Sequence, residues 1–151
     1  MYVKLVDELQ KVKIPRAIEV CNEALELAQQ MTSEIDGSTD IELADCQYHL
    51  AMLYALNGNY LKTVSIISEN LTIIEENPHR HLLGRVYNLV GVAYGNLGNS
   101  SESIDYLMRA LKIFQELGDQ KWEAGVLNNI GDLYRQIQNH DWALMNLNMS
   151  L

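Results

Sequence analysis

The chain has 151 residues, 48% of them hydrophobic, and a formal net charge of −9, which suits one soluble domain with an ordinary core. A net negative charge repels other polyanions, so neither nucleic acid nor an anionic membrane surface is expected as a partner of the whole molecule. With two prolines, nine glycines and one phenylalanine beside abundant Leu, Ala, Glu, Asn and Ile, the composition favours helix over strand, and the expected fold class is all-α.

No apolar run approaches the roughly 18 residues of a membrane-spanning helix. Residues 2–13, YVKLVDELQKVK, lack the charged, apolar and small-residue zones of a secretory signal, so a cytoplasmic location is expected. Cys21 and Cys46 fall inside helical patterns without CxxC or Cys/His spacing, which predicts two reduced, partly buried thiols.

Tyr2, Leu5, Val6 and Leu9 recur at i, i+3, i+4, i+7 and predict a first helix over residues 2–12. Pro15 suits the start of a second, where a missing N–H costs nothing, and Ala17, Ile18, Cys21, Ala24 and Leu25 follow on one face. The stretch SEIDGSTDIE, residues 33–42, reads as a loop that ends with Thr39 and Glu42 at capping-box spacing. Then comes YHLAMLYALNGN, residues 48–59, a helix closing at Gly58, followed by one carrying Val64, Ile67 and Leu71.

Asn77 and Pro78 give an N-cap with proline at N1 and introduce NLVGVAYGNLGN, residues 88–99, closing at Gly98, with Ile104, Leu107 and Leu111 on its partner. Gly118 and Asp119 supply a C-cap glycine and an N-cap acid. NNIGDLYRQIQN, residues 128–139, repeats the phrase with Gln138 in the turn position, and Leu144, Leu147 and Leu151 mark the last stripe. Eight helices in four hairpins are expected, at about residues 1–36, 37–77, 78–118 and 119–151.

The phrase recurs with the same chemistry. Leu50, Val90 and Ile130 align, then Ala51, Gly91 and Gly131, then Tyr54, Tyr94 and Tyr134. On a helix this sets a small residue and an aromatic on one face, where a neighbouring helix approaches closely. Thr63, Ser103 and Ala143 put a second small residue at the first turn of each following helix.

Residues 85–111, RVYNLVGVAYGNLGNSSESIDYLMRAL, resemble the tetratricopeptide repeat at Tyr87, Val90, Gly91, Tyr94, Gly98, Ser103, Leu107 and Ala110. Equivalent positions 90 and 130 lie 40 apart, whereas the common repeat has about 34 residues. The chain is thus similar to the longer-period branch seen in kinesin light chain and bacterial signalling proteins, which share the Leu127, Asn128, Asn129 run. Gln47, Asn70 and Gln138 depart from the pattern at the first aromatic, the late alanine and the turn glycine.

The resemblance implies a single domain, residues 1–151, built as a right-handed superhelical stack of antiparallel helix hairpins that bury their faces on one another. It also implies a non-catalytic module without cofactor, whose first helices line a concave groove for a protein or peptide. The groove slots are Asp45, Tyr48, Met52, Ala55 and Leu56, then Arg85, Asn88, Val92, Gly95 and Asn96, then Gly125, Asn128, Asp132, Arg135 and Gln136.

Within this set the expected partner-binding residues are Tyr48, Met52, Arg85, Asn88, Asn96, Asn128, Asp132, Arg135 and Gln136. Asn88 and Asn128 are equivalent, and an amide offers donor and acceptor to an extended backbone. Arg85 and Arg135 suit a carboxylate held bidentately, or an intramolecular pair with Asp45 or Asp132. The carboxylate clamp of chaperone-binding relatives, a Lys and an Asn, falls here on Val3 and Asp7, which argues against chaperone tails.

No nucleophile motif, phosphate loop or paired acids appear. His79 and His81 point to different sides of a helix start, so no metal site is expected. Trp122 and Trp142 are expected to pack between repeats. The sequence stops at Leu151 inside a predicted helix, so the chain is expected to be the N-terminal part of a longer protein, or to pair with a second copy as a homodimer through its C-terminal helix. Two alternatives stand beside the groove reading: an N-terminal sensory or oligomerisation domain of a signalling enzyme or regulator, and a self-associating structural spacer.

Overall fold

A computed structural model describes residues 2–32, 39–76 and 79–149, with side chains placed for residues 13–27, 30, 43–76, 79–141, 144 and 145. Among the described residues there are six helices and no strand: α1 (Tyr2–Thr32), α2 (Thr39–Leu56), α3 (Tyr60–Glu76), α4 (Arg80–Asn96), α5 (Ser100–Leu117) and α6 (Gln120–Met149). They form two compact units, Met1–Leu82 and Leu83–Leu151.

Three turns close as the sequence predicts. Gly58, Gly98 and Gly118 take φ of 76°, 84° and 68°, the left-handed region that a side chain disfavours. Each glycine N–H returns to a carbonyl three residues back, and the next N–H to one five back. The distances are 2.9 and 2.8 Å for Gly58 and Asn59, 3.1 and 2.9 Å for Gly98 and Asn99, and 3.2 and 3.0 Å for Gly118 and Asp119. This pattern satisfies the last carbonyls of α2, α4 and α5. Asp119 then caps α6, its Oδ1 accepting the Trp122 N–H at 3.1 Å.

The expected eight helices are corrected to six. α1 runs unbroken past Pro15, and α6 runs unbroken past Gln138. Neither predicted break contains a glycine, and no non-glycine residue among those described has a positive φ. Without a residue suited to the left-handed turn, the helix continues. At Pro15 it does so despite losing one backbone bond. Gln138→Gly is therefore expected to lower stability by about 1 kcal/mol, the penalty of glycine inside a helix, measured by urea unfolding. A gain in stability would mean that the chain turns there.

In the first unit α1 packs on α2 and α2 on α3. Ile18, Leu25, Tyr48, Leu50, Ala51, Ile66, Ile67 and Ile74 are buried. Asn70, in the slot of a late alanine, turns its Nδ2 back to the Ile66 carbonyl at 3.0 Å. Gln47, in the first aromatic slot, keeps a buried Oε1 with no hydrogen-bond partner among the described residues. Cys21 is half-buried and Cys46 is exposed, neither in a disulfide. The exposure of Cys46 differs from the partly buried thiol expected.

In the second unit α5 packs on α6, and Val86, Tyr87, Val90, Ala93, Leu107, Ala110, Phe114, Val126 and Leu133 are buried. Tyr106 lies between Tyr94, stacked at 5.7 Å, and Tyr87, tilted at 5.7 Å. Arg109 covers Tyr87 and Tyr106 at 5.9 and 5.7 Å. Its hydrogen bond to Tyr87, with Asp105 alongside, raises the guanidinium pKa above its ordinary value. Trp122 stacks on Phe114 at 5.3 Å, so it joins α5 to α6 as the expected packing role requires.

The stretch 33–38 and residues Asn77, Pro78 and Leu151 lie outside the described residues, as do the side chains of Tyr2, Leu5, Val6, Leu9, Thr39, Glu42, Trp142, Ala143 and Leu147.

Candidate functional site

The spacing of paired helices is set by one repeated contact. In the second unit the Ser103 hydroxyl donates to the Gly91 carbonyl at 2.7 Å, and a Cβ on Gly91 would lie 2.7 Å from Leu107 Cγ. In the first unit Thr63 makes the same bond to the Ala51 carbonyl at 3.0 Å. Both hydroxyls are buried, so the bond meets a need that burial creates. A helix that approaches this closely must face a small residue, which accounts for Ala51 and Gly91.

With α4 held against α5 in this way, and α6 packed on α5, α4 and α6 border a cleft. Asn129 Nδ2 donates to Asn88 Oδ1 at 2.8 Å and ties the two helices together. The cleft has room of about 90 Å³ and is lined by Val92, Gly95 and Asn96 of α4, Ser103 and Leu107 of α5, and Asn129, Asp132, Leu133 and Gln136 of α6. Gly95 keeps it open, since a Cβ there would lie 3.0 Å from Ser103 Oγ and 3.3 Å from Leu133 Cδ1. Small-molecule pockets run to about 300–1,000 Å³, so this cleft is of a size for one side chain. Its floor is aliphatic and its rim carries amides, donors and acceptors for an extended backbone.

Of the predicted binding residues, Asn96, Asp132 and Gln136 come together around this cleft. Asn96 is exposed and its Nδ2 donates to the Val92 carbonyl at 2.9 Å. Asp132 forms an ion pair with Arg135, the intramolecular alternative foreseen for that arginine. Asn88 is half-buried and bonded to Asn129, whereas Asn128 is exposed. Arg85 is half-buried with its guanidinium 5.9 Å above Trp122. Tyr48 and Met52 belong to the first unit, where Tyr48 is buried and edge-on to His49 at 5.3 Å, and Met52 is half-buried.

The tetratricopeptide repeat profile matches residues 42–116 and again residues 85–151. The chain belongs to the tetratricopeptide repeat family. A comparison with curated proteins gives no match. Tetratricopeptide repeats mediate protein–protein interactions and are in general non-catalytic modules. Among the described residues no helix is long and apolar enough to cross a membrane, and no three His, Cys, Asp or Glu side chains gather as metal ligands.

The overlap of the two matches covers residues 85–116, the α4 and α5 hairpin whose residues carry the consensus most fully. Four members of the cleft, Ser103, Leu107, Asn129 and Leu133, are absent from the groove slots read from sequence. Asn129 was within reach: it stands beside Asn128 in the same run, one helical step of about 100° away, and that step turns its amide towards Asn88.

Proposed function

We propose that this tetratricopeptide domain binds an extended segment of a partner protein along α4 and α6, with one apolar side chain seated in the cleft above Leu107 and Leu133. The observation that supports this reading is the combination of an aliphatic floor with an amide rim from Asn96, Asn129 and Gln136. Such a rim can hold a peptide backbone whatever its sequence, while the floor selects the side chain. Asn88 belongs to the same set, with its carbonyl oxygen engaged by Asn129 and its amide hydrogens left to donate.

The net charge of −9 favours a neutral or basic segment and faster capture at low salt. In this reading the chain acts in the cytoplasm as a single domain, residues 1–151.

Selection from a displayed library of random peptides tests the proposal. The Asn129→Ala, Gln136→Ala double variant is expected to bind the selected peptides roughly 5- to 150-fold more weakly, since each lost hydrogen bond removes roughly 0.5–1.5 kcal/mol. Equal binding by both proteins, with helicity unchanged, would remove the cleft from the binding site.

A further inference from the structure

Gly95 and Gln136 border a second, larger cavity as well as the cleft. It has room of about 370 Å³ and lies in the same unit, where α6 passes the Gly98 turn and the start of α5. Ser100, Ile137, His140 and Asp141 add to its lining. The two spaces are therefore consecutive along α6, and what stands between them is a glycine and an amide. A chain that crosses over Gly95 meets no Cβ, so its backbone can run close to the wall from one space into the other.

The two spaces differ in chemistry. The cleft has an aliphatic floor, and its volume of about 90 Å³ falls short of the roughly 150 Å³ of a cavity that takes up benzene. It suits an aliphatic side chain and excludes an aromatic ring. The second cavity combines an apolar patch, half-buried Ile137, with the exposed carboxylate of Asp141. The basic residue nearest to Asp141 in sequence, Arg135, is already paired with Asp132. A long cationic side chain meets both features, its methylenes covering Ile137 and its head group reaching the carboxylate. The start of α5 turns the positive end of its dipole to the same space. That end amounts to about half a unit charge against the full charge of Asp141, so the cation settles on the α6 wall.

The spacing of the two seats follows from α6. Its cleft residues are centred between 132 and 133 and its cavity residues between 138 and 139, which is about 9 Å along the helix axis. Side chains two apart in a strand share a face at about 7 Å, and those three apart in polyproline II do so at about 9 Å.

We propose that the bound segment carries a Lys or Arg two or three residues from its aliphatic anchor, with the anchor in the cleft and the cation in the second cavity against Asp141. This inference rests on the reading that α4 and α6 hold an extended segment.

Displayed random peptides, selected in parallel on the wild-type chain and on Asp141→Asn, test it. The wild-type pool should share an aliphatic residue with Lys or Arg two or three positions away, and the Asp141→Asn pool should keep the first and lose the second. A synthetic peptide from the wild-type pool should bind Asp141→Asn about fivefold more weakly at low salt. Replacing its basic residue by Gln should abolish that difference, and Glu116→Gln, the same charge change at the far end of α5, should leave binding unchanged. A shared aliphatic residue without a basic one, the same basic preference on Asp141→Asn, or an equal loss with Glu116→Gln overturns the proposal and leaves the cleft reading standing. Pools with no shared aliphatic residue overturn both.

Discussion

Phe114→Ala is expected to lower the unfolding free energy by about 4 kcal/mol, the loss typical of a large aromatic removed from a closed core. Phe114 is fully buried and joins three helices of the second unit. Its ring stacks on Trp122 of α6 at 5.3 Å. On the other side it lies against α4, where a Cβ on Gly84 would come within 2.8 Å of its Cζ. Removing the ring leaves a cavity between elements that glycine has already brought together, so little collapse is available to fill it. Urea unfolding followed by Trp fluorescence measures the loss. A change below about 1 kcal/mol would mean that α4 and α6 are not joined through this ring.

The second large effect is a pair of substitutions of opposite sign in one repeat slot. Gly91→Val should destabilise the protein by about 3 kcal/mol or more, because the crowding falls on Leu107 Cγ at 2.7 Å and on its backbone N at 3.1 Å. A side-chain tip can move aside, but the backbone of α5 cannot do so without shifting the Ser103 bond to the Gly91 carbonyl. Gly91→Ala is milder, at roughly 1–2 kcal/mol, since the strain is partly offset by the better helix propensity of alanine. Gly131→Ala meets open space and should stabilise the protein by about 1 kcal/mol. Chemical denaturation of the two alanine variants side by side decides the point. Equal changes would deny the difference in packing between the two copies.

The hairpins with glycine turns were legible in the sequence because the signal is local. Gly58, Gly98 and Gly118 each meet a backbone requirement that few other residues satisfy, and Asp119 caps the helix next to it. The small residues were equally readable, since Ala51 and Gly91 lie where the Thr63 and Ser103 hydroxyls arrive. The pattern failed where it was carried across a position that lacked the residue enforcing it. Gln138 stands in a glycine slot and the helix does not stop there. Nor does Pro15 mark a boundary when no glycine precedes it.

The candidate site was legible in outline only. Slot matching on the first helices reached Asn96, Asp132 and Gln136, which line one cleft. It could not give the α5 residues that form the floor, because those face the cleft from a helix assigned to the other side of the hairpin. It also could not tell which of two adjacent asparagines, Asn128 or Asn129, turns towards Asn88. That choice depends on how α6 is rotated against α5, which Val126 and Leu133 fix by their burial.

The most direct measurement of the central claim is a ¹⁵N chemical-shift map of the full chain titrated with a peptide selected by the wild-type protein. The account predicts perturbations gathered on Val92, Gly95, Asn96, Asn129, Asp132 and Gln136, including the side-chain amides of Asn96, Asn129 and Gln136. Shifts confined to Leu127, Gly131 and Tyr134, or to the Tyr48 and Met52 region of α2, with the cleft resonances unmoved, would contradict it.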